Sequence, residues 1–85
     1  MKSARFNEVR YEIDLEPHDA SCDHPQNKGL PMIRLSNGLK NNKQTLELLI
    51  HESLHACNWH ASEEKVIMTS RDIARFLWRL GYRIK

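Results

Sequence analysis

The sequence predicts a small α+β domain in the order β-β-α-α, with two short antiparallel strands followed by two packed helices. Three observations lead there. An N-terminal segment alternates apolar and polar residues with period two. Two later segments carry apolar residues at helical spacing. The stretches between them are rich in Pro, Gly and Asn. A chain of 85 residues makes one domain, 1–85, and at this size the core alone leaves a thin margin of stability.

Each element follows from its residues. In residues 5–15, Val9, Tyr11, Ile13 and Leu15 share one face and Arg10, Glu12 and Asp14 the other, as in a half-buried strand that Pro17 ends. Residues 17–31 read as a loop, residues 32–36 as a second short strand, and Asn37-Gly38 as a turn. Residues 43–57 form an amphipathic helix capped by Asn41, Asn42 or the residues just after them. Leu46, Leu49, Ile50, Ser53, Leu54 and Cys57 cover its broad face, and Leu48, His51, Glu52 and His55 an adjacent one. Ser62 caps the next helix, Glu63 to Leu80, with Glu63 and Glu64 in the first turn, where acids suit the helix dipole. Val66, Ile67, Ile73, Ala74, Leu77 and Leu80 make its apolar face, and Gly81 is its stop.

Composition narrows the class. The chain is 40% hydrophobic and 28% charged, as an ordinary globular domain is. No apolar run approaches the roughly 20 residues of a membrane span, and residues 1–20 lack the apolar stretch of a signal peptide. The expected location is therefore cytoplasmic. Two cysteines, Cys22 and Cys57, are too few for a disulfide framework, and Cys57 reads as a buried apolar thiol. Charge is uneven: residues 1–24 hold six acids and three bases, and residues 65–85 six bases and one acid, Asp72. Arg71, Arg75 and Arg79 recur one turn apart, a spacing that suits nucleic-acid phosphates. A net charge of +2 is low for a dedicated nucleic-acid binder, and a solvated face is the favoured reading.

One motif carries chemistry. His51-Glu52-Ser53-Leu54-His55 is an H-E-x-x-H sequence inside the first helix. Residues four apart lie one turn apart on one face. Two imidazoles so placed can converge on one zinc ion at about 2.0–2.1 Å each. Glu52 is rotated about 100° from His51, beside a zinc-bound water rather than on the metal, where it can act as a general base. A third protein ligand is needed. Running the second helix's apolar stripe back one turn reaches Glu63, which makes it the first choice; Glu64 points about 100° away. His60, Cys22 and His24 are the other candidates. Trp59 adjoins the motif and has some claim to a substrate pocket, whereas Trp78, Tyr11 and Tyr82 read as structural.

LLIHESLHA, the short connector, and SEEKVIMTSRDIARFLWRLGYR together resemble the small H-E-x-x-H metallopeptidase-like proteins commonly encoded by phages. More broadly they resemble the minimal core of zincins with a glutamate third ligand, in outline SprT-like and IrrE-like domains. The resemblance spans about residues 32–83. It implies a minimal zincin-like domain with zinc on His51, His55 and Glu63, Glu52 as general base, and host-cell cytoplasm if the chain is phage-encoded. The metzincin third histidine is missing, since His60 stands five residues after His55 where that pattern needs six.

The expected function is a zinc-dependent metallopeptidase with a peptide or protein substrate. Residues 32–36 could pair with an extended substrate as an added strand. The alternative is a non-catalytic, zinc-stabilised binding module for a protein or nucleic-acid partner; an amidase or deformylase acting on a small substrate is a weaker third. Neither a membrane partner nor an oligomeric state is indicated.

Overall fold

A computed structural model describes residues 3–15, 21–25, 31–35 and 42–83. Its elements are β1 (Ser3–Phe6), β2 (Val9–Asp14), β3 (Ser21–Cys22), β4 (Met32–Arg34), α1 (Lys43–Cys57) and α2 (Glu63–Arg79). The strands form one sheet in the order β1-β2-β4-β3. The expected α+β class holds, and both helices fall where their periodicity placed them.

The sheet differs from expectation in three ways. First, residues 5–15 are not one strand. β1 and β2 form an antiparallel hairpin that pairs Phe6 with Val9 across a two-residue turn. Asn7 and Glu8 both take positive φ, 52° and 65°, as a type I′ turn requires. Second, the expected loop 17–31 contains a strand, β3, whose two residues pair antiparallel with β4. Third, the segments expected to pair antiparallel, now β2 and β4, run parallel, with Glu12, Ile13 and Asp14 beside Met32, Ile33 and Arg34. A parallel pair needs a crossover of about a dozen residues or more, and the segment between Asp14 and Met32 is long enough to supply it. The Glu12 amide donates to Pro31 O at 2.9 Å and the Leu35 amide to Asp14 O at 2.8 Å, continuing that ladder. The Asn37-Gly38 turn lies outside the described residues.

A side-chain clamp fixes the short β3 strand. Arg34 Nη1 donates to Asp23 Oδ1 at 2.7 Å and to Ser21 Oγ at 3.3 Å, while Asp23 Oδ2 accepts from the Met32 amide at 2.9 Å. Hydrogen bonding to Asp23, opposed by burial, raises the Arg34 pKa.

One face of the sheet packs on α1. Tyr11, Ile33, Leu35 and Ala56 are buried together, with Phe6, Val9, Ile13, Cys22 and Leu49 around them. Asn42 caps α1, its side chain accepting from the Thr45 amide at 2.8 Å. Ser62 caps α2 in the same way, accepting from the Lys65 amide at 3.1 Å. Gly81, at φ 94°, lies just past the end of α2, as its sequence position suggested.

Among the described elements α2 packs on α1 and makes no comparable contact with the sheet, so the layers run sheet, α1, α2. The buried stripe of α2 is Val66, Ser70 and Ala74, narrower than the expected apolar face. Ile67 and Ile73 lie at its margins, both 37% exposed, and Leu80 is 60% exposed past the helix end. Cys57 is exposed, against the buried thiol expected, because it is the last residue of α1. No helix among the described residues is long and apolar enough to cross a membrane.

Candidate metal centre

α1 positions two of the three side chains at the centre. His51 and His55 are one turn apart, their ring centroids separated by 4.8 Å. Their Nε2 atoms are 3.1 Å apart. Glu63 enters from the first turn of α2. Its Oε1 lies 2.8 Å from His51 Nε2 and its Oε2 3.0 Å from His55 Nε2. These three residues form the group able to hold a metal ion among the described residues.

The donor set and spacing fit zinc. Two imidazole nitrogens and a carboxylate oxygen are three of the ligands zinc prefers, and a tetrahedron with bonds of about 2.0–2.1 Å has edges of about 3.3 Å. The two histidine nitrogens, 3.1 Å apart, are near that spacing; each meets a different Glu63 oxygen at 2.8–3.0 Å, and one ligand atom from each residue falls within 4.8 Å of the others. The histidine side chains are 20% and 18% exposed and that of Glu63 60%, so the centre opens to solvent on its α2 side.

Glu52 occupies a different environment. It is 5% exposed, and its Oε1 is buried without a hydrogen-bond partner among the described residues. Burial raises its pKa; His51 and His55 act in the opposite direction, and Glu63 adds to the rise. With His51, His55 and Glu63, Glu52 lines a cleft of about 300 Å³ whose other walls are Ser21, Cys22 and Trp59. A carboxylate reluctant to ionise, beside the cluster but not in it, suits a proton acceptor rather than a ligand.

The remaining candidates are placed as follows. Glu64 and His60 are exposed and outside the cluster. Cys22 walls the cleft without joining the ligand group, and burial, then the Glu52 and Asp23 carboxylates, push its thiol up to about 12. His24 packs edge-on against Trp59 with centroids 5.0 Å apart. Tyr11 is fully buried in the core and Tyr82 is 63% exposed beyond α2, so neither lines the cleft. Trp78 carries the Arg83 guanidinium 3.3 Å from its ring centroid. Arg71, Arg75 and Arg79 are all exposed, and Asp72 reaches Arg75 only at 3.9 Å.

One expectation is corrected here. The segment 32–36 cannot accept a substrate strand along Met32–Arg34, because β2 and β3 flank β4 on both sides. The sheet edge beside the centre is β3, whose Ser21 and Cys22 line the cleft. Sequence reading missed this wall because a two-residue strand carries no periodicity.

No family model, curated protein or solved structure matches the chain.

Proposed function

We propose that this chain is a zinc-dependent metallopeptidase of zincin-like type, with His51, His55 and Glu63 as metal ligands and Glu52 as general base. The observation that carries the reading is the convergence of His51 Nε2, His55 Nε2 and the Glu63 carboxylate within 2.8–3.1 Å of one another. Zinc, when bound there, supplies Lewis acidity to a scissile carbonyl and makes water acidic enough to lose a proton near neutral pH.

The chain's own residues supply the rest. Glu52 Oε1, buried and unpartnered, takes the proton from the attacking water and passes it to the departing amine. Burial favours its protonated form and so holds the proton between those two events. Ser21 and Cys22 present a sheet edge along which an extended peptide can lie.

A second reading, a zinc-stabilised binding module, draws support from the layer order. Among the described elements α2 packs chiefly on α1, so a metal joining Glu63 to the two histidines would tie the outer layer down whether or not chemistry follows.

Three measurements test these readings. Purified protein should hold close to one equivalent of zinc; less than about a tenth, with no change in melting temperature on chelation, refutes the metal claim. Glu63→Ala should weaken zinc binding by at least about a hundredfold and Glu64→Ala by far less, since losing a ligand exceeds the 10–100-fold cost of losing an outer-shell partner. Glu52→Gln should keep the zinc and abolish cleavage of a peptide library. Equal cleavage by both proteins removes Glu52 as the base, and no cleavage by zinc-loaded wild type favours the binding module.

A further inference from the structure

Two clefts meet at Trp59. One contains the His51, His55, Glu63 cluster. The other, about 340 Å³, shares the indole and is lined by Val9, His24, Ala56, Asn58, Trp59 and His60 among others. The Trp59 ring neighbours two imidazoles, 5.0 Å from His24 at 70° and 6.3 Å from His55 at 59°. A run of four rings, His24, Trp59, His55 and His51, thus links the second cleft to the centre.

The hairpin turn and the end of α1 build this second cleft. The Asn7 side-chain amide donates to the Cys57 carbonyl and pins the β1–β2 turn against the last residue of the helix. Ala56, 3% exposed, and the half-buried Val9 add apolar wall. No Lys, Arg, Asp or Glu lines the cleft among the described residues. A charged guest would meet no counter-ion there, whereas a planar apolar one would meet ring edges and faces at the 4.5–7 Å separations that aromatic pairs favour. Its volume is ample, since about 150 Å³ suffices for benzene.

The geometry points to the cleft beyond Trp59 as a side-chain subsite for an aromatic residue of the substrate, next to the bond cleaved, with Trp59 setting the preference. This rests on the peptidase reading for its place in a reaction, but the binding it requires does not depend on turnover. An extended chain advances about 3.3–3.6 Å per residue. A carbonyl at the cluster therefore leaves a side chain one or two residues away within reach of Trp59, whose ring centroid lies 6.3 Å from that of His55.

The test uses the full chain, zinc-loaded, carrying Glu52→Gln so that nothing is consumed. N-acetyl-phenylalaninamide and N-acetyl-alaninamide are titrated while the two indole N–H signals are followed by NMR. The phenylalanine amide should shift the Trp59 signal saturably, together with the Ala56 and Asn58 amides, and leave Trp78 still; the alanine amide should do neither. Equal responses to both probes, or a response at Trp78 alone, overturns the subsite. The same titration with Trp59→Leu should lose the Ala56 and Asn58 shifts, and their persistence would remove Trp59 as the determinant. If wild type proves active, phenylalanine peptides should be cleaved at least about tenfold better than alanine peptides. An inactive protein that still binds the aromatic amide leaves the subsite standing and refutes only the peptidase reading.

Discussion

Cys22 and Cys57 show how position alone separates two identical side chains. Cys57 ends α1 and is exposed; Cys22 is half-buried between the sheet and the cleft. Burial and two nearby carboxylates push Cys22 up to about 12. Tyr11, raised mainly by burial, shifts the same way. Both groups hold their protons more tightly in the folded chain than in the unfolded one. Below the ordinary thiol range, about 8.5, their protonated forms contribute full stability. As pH rises from there toward 12 the unfolded state alone sheds protons, and stability falls. The urea midpoint should therefore drop between pH 8 and pH 10.5, and Cys22→Ala should flatten part of that drop. At pH 8, iodoacetamide should modify Cys57 well before Cys22 in native protein, read by mass spectrometry of peptides. Equal labelling rates would mean that Cys22 is not shielded as described.

At the scale of elements, both helices and the strands β2 and β4 were legible, and the pairing of the sheet was not. Each helix announces itself through periodic apolar residues and a capping side chain, Asn42 or Ser62, and these are local signals. The hairpin hides because its turn is Asn-Glu rather than Asn-Gly; the one local sign of it is that the alternation holding from Val9 to Leu15 fails at Arg5, Phe6 and Asn7. Glu8 holds φ 65°, a left-handed conformation that disfavours a side chain with a Cβ. Glu8→Gly should therefore stabilise the fold, by up to about 1 kcal/mol after glycine's entropic cost. A lower melting temperature for the variant would show that Glu8 makes a compensating contact. The parallel β2–β4 pairing was illegible for another reason. Strand direction is set by where the intervening chain returns, and residues 15–31 carry no pattern that states it.

For the whole molecule, α1 is the middle layer, and among the described residues it is the helix in substantial contact with the sheet. The candidate centre was readable in part because three of its residues, His51, Glu52 and His55, come from one turn of that helix. Glu63 was also readable, because its phase on α2 follows from the buried stripe through Val66, Ser70 and Ala74. Cys22 as a wall, and the meeting of two clefts at Trp59, depend on tertiary packing that no local pattern encodes. The layer order also makes a prediction. Zinc at a hundred times its dissociation constant adds about 2.7 kcal/mol to stability, and here it would join α2 to α1. Chelation should thus speed amide hydrogen exchange in α2 far more than in β2 and β4. Uniform loss of protection would show that the layers open together.

The middle position of α1 also bears on the order of folding. A chain emerging from the ribosome exposes Tyr11, Ile33 and Leu35 before the helix that covers them has been made. The strands cannot bury that surface among themselves, because Ala56 and Leu49 complete the cluster. The β1–β2 hairpin and the α1–α2 pair are local and can form early, but the core closes only when they meet. During that wait the apolar face of the nascent sheet is left open to non-native contacts.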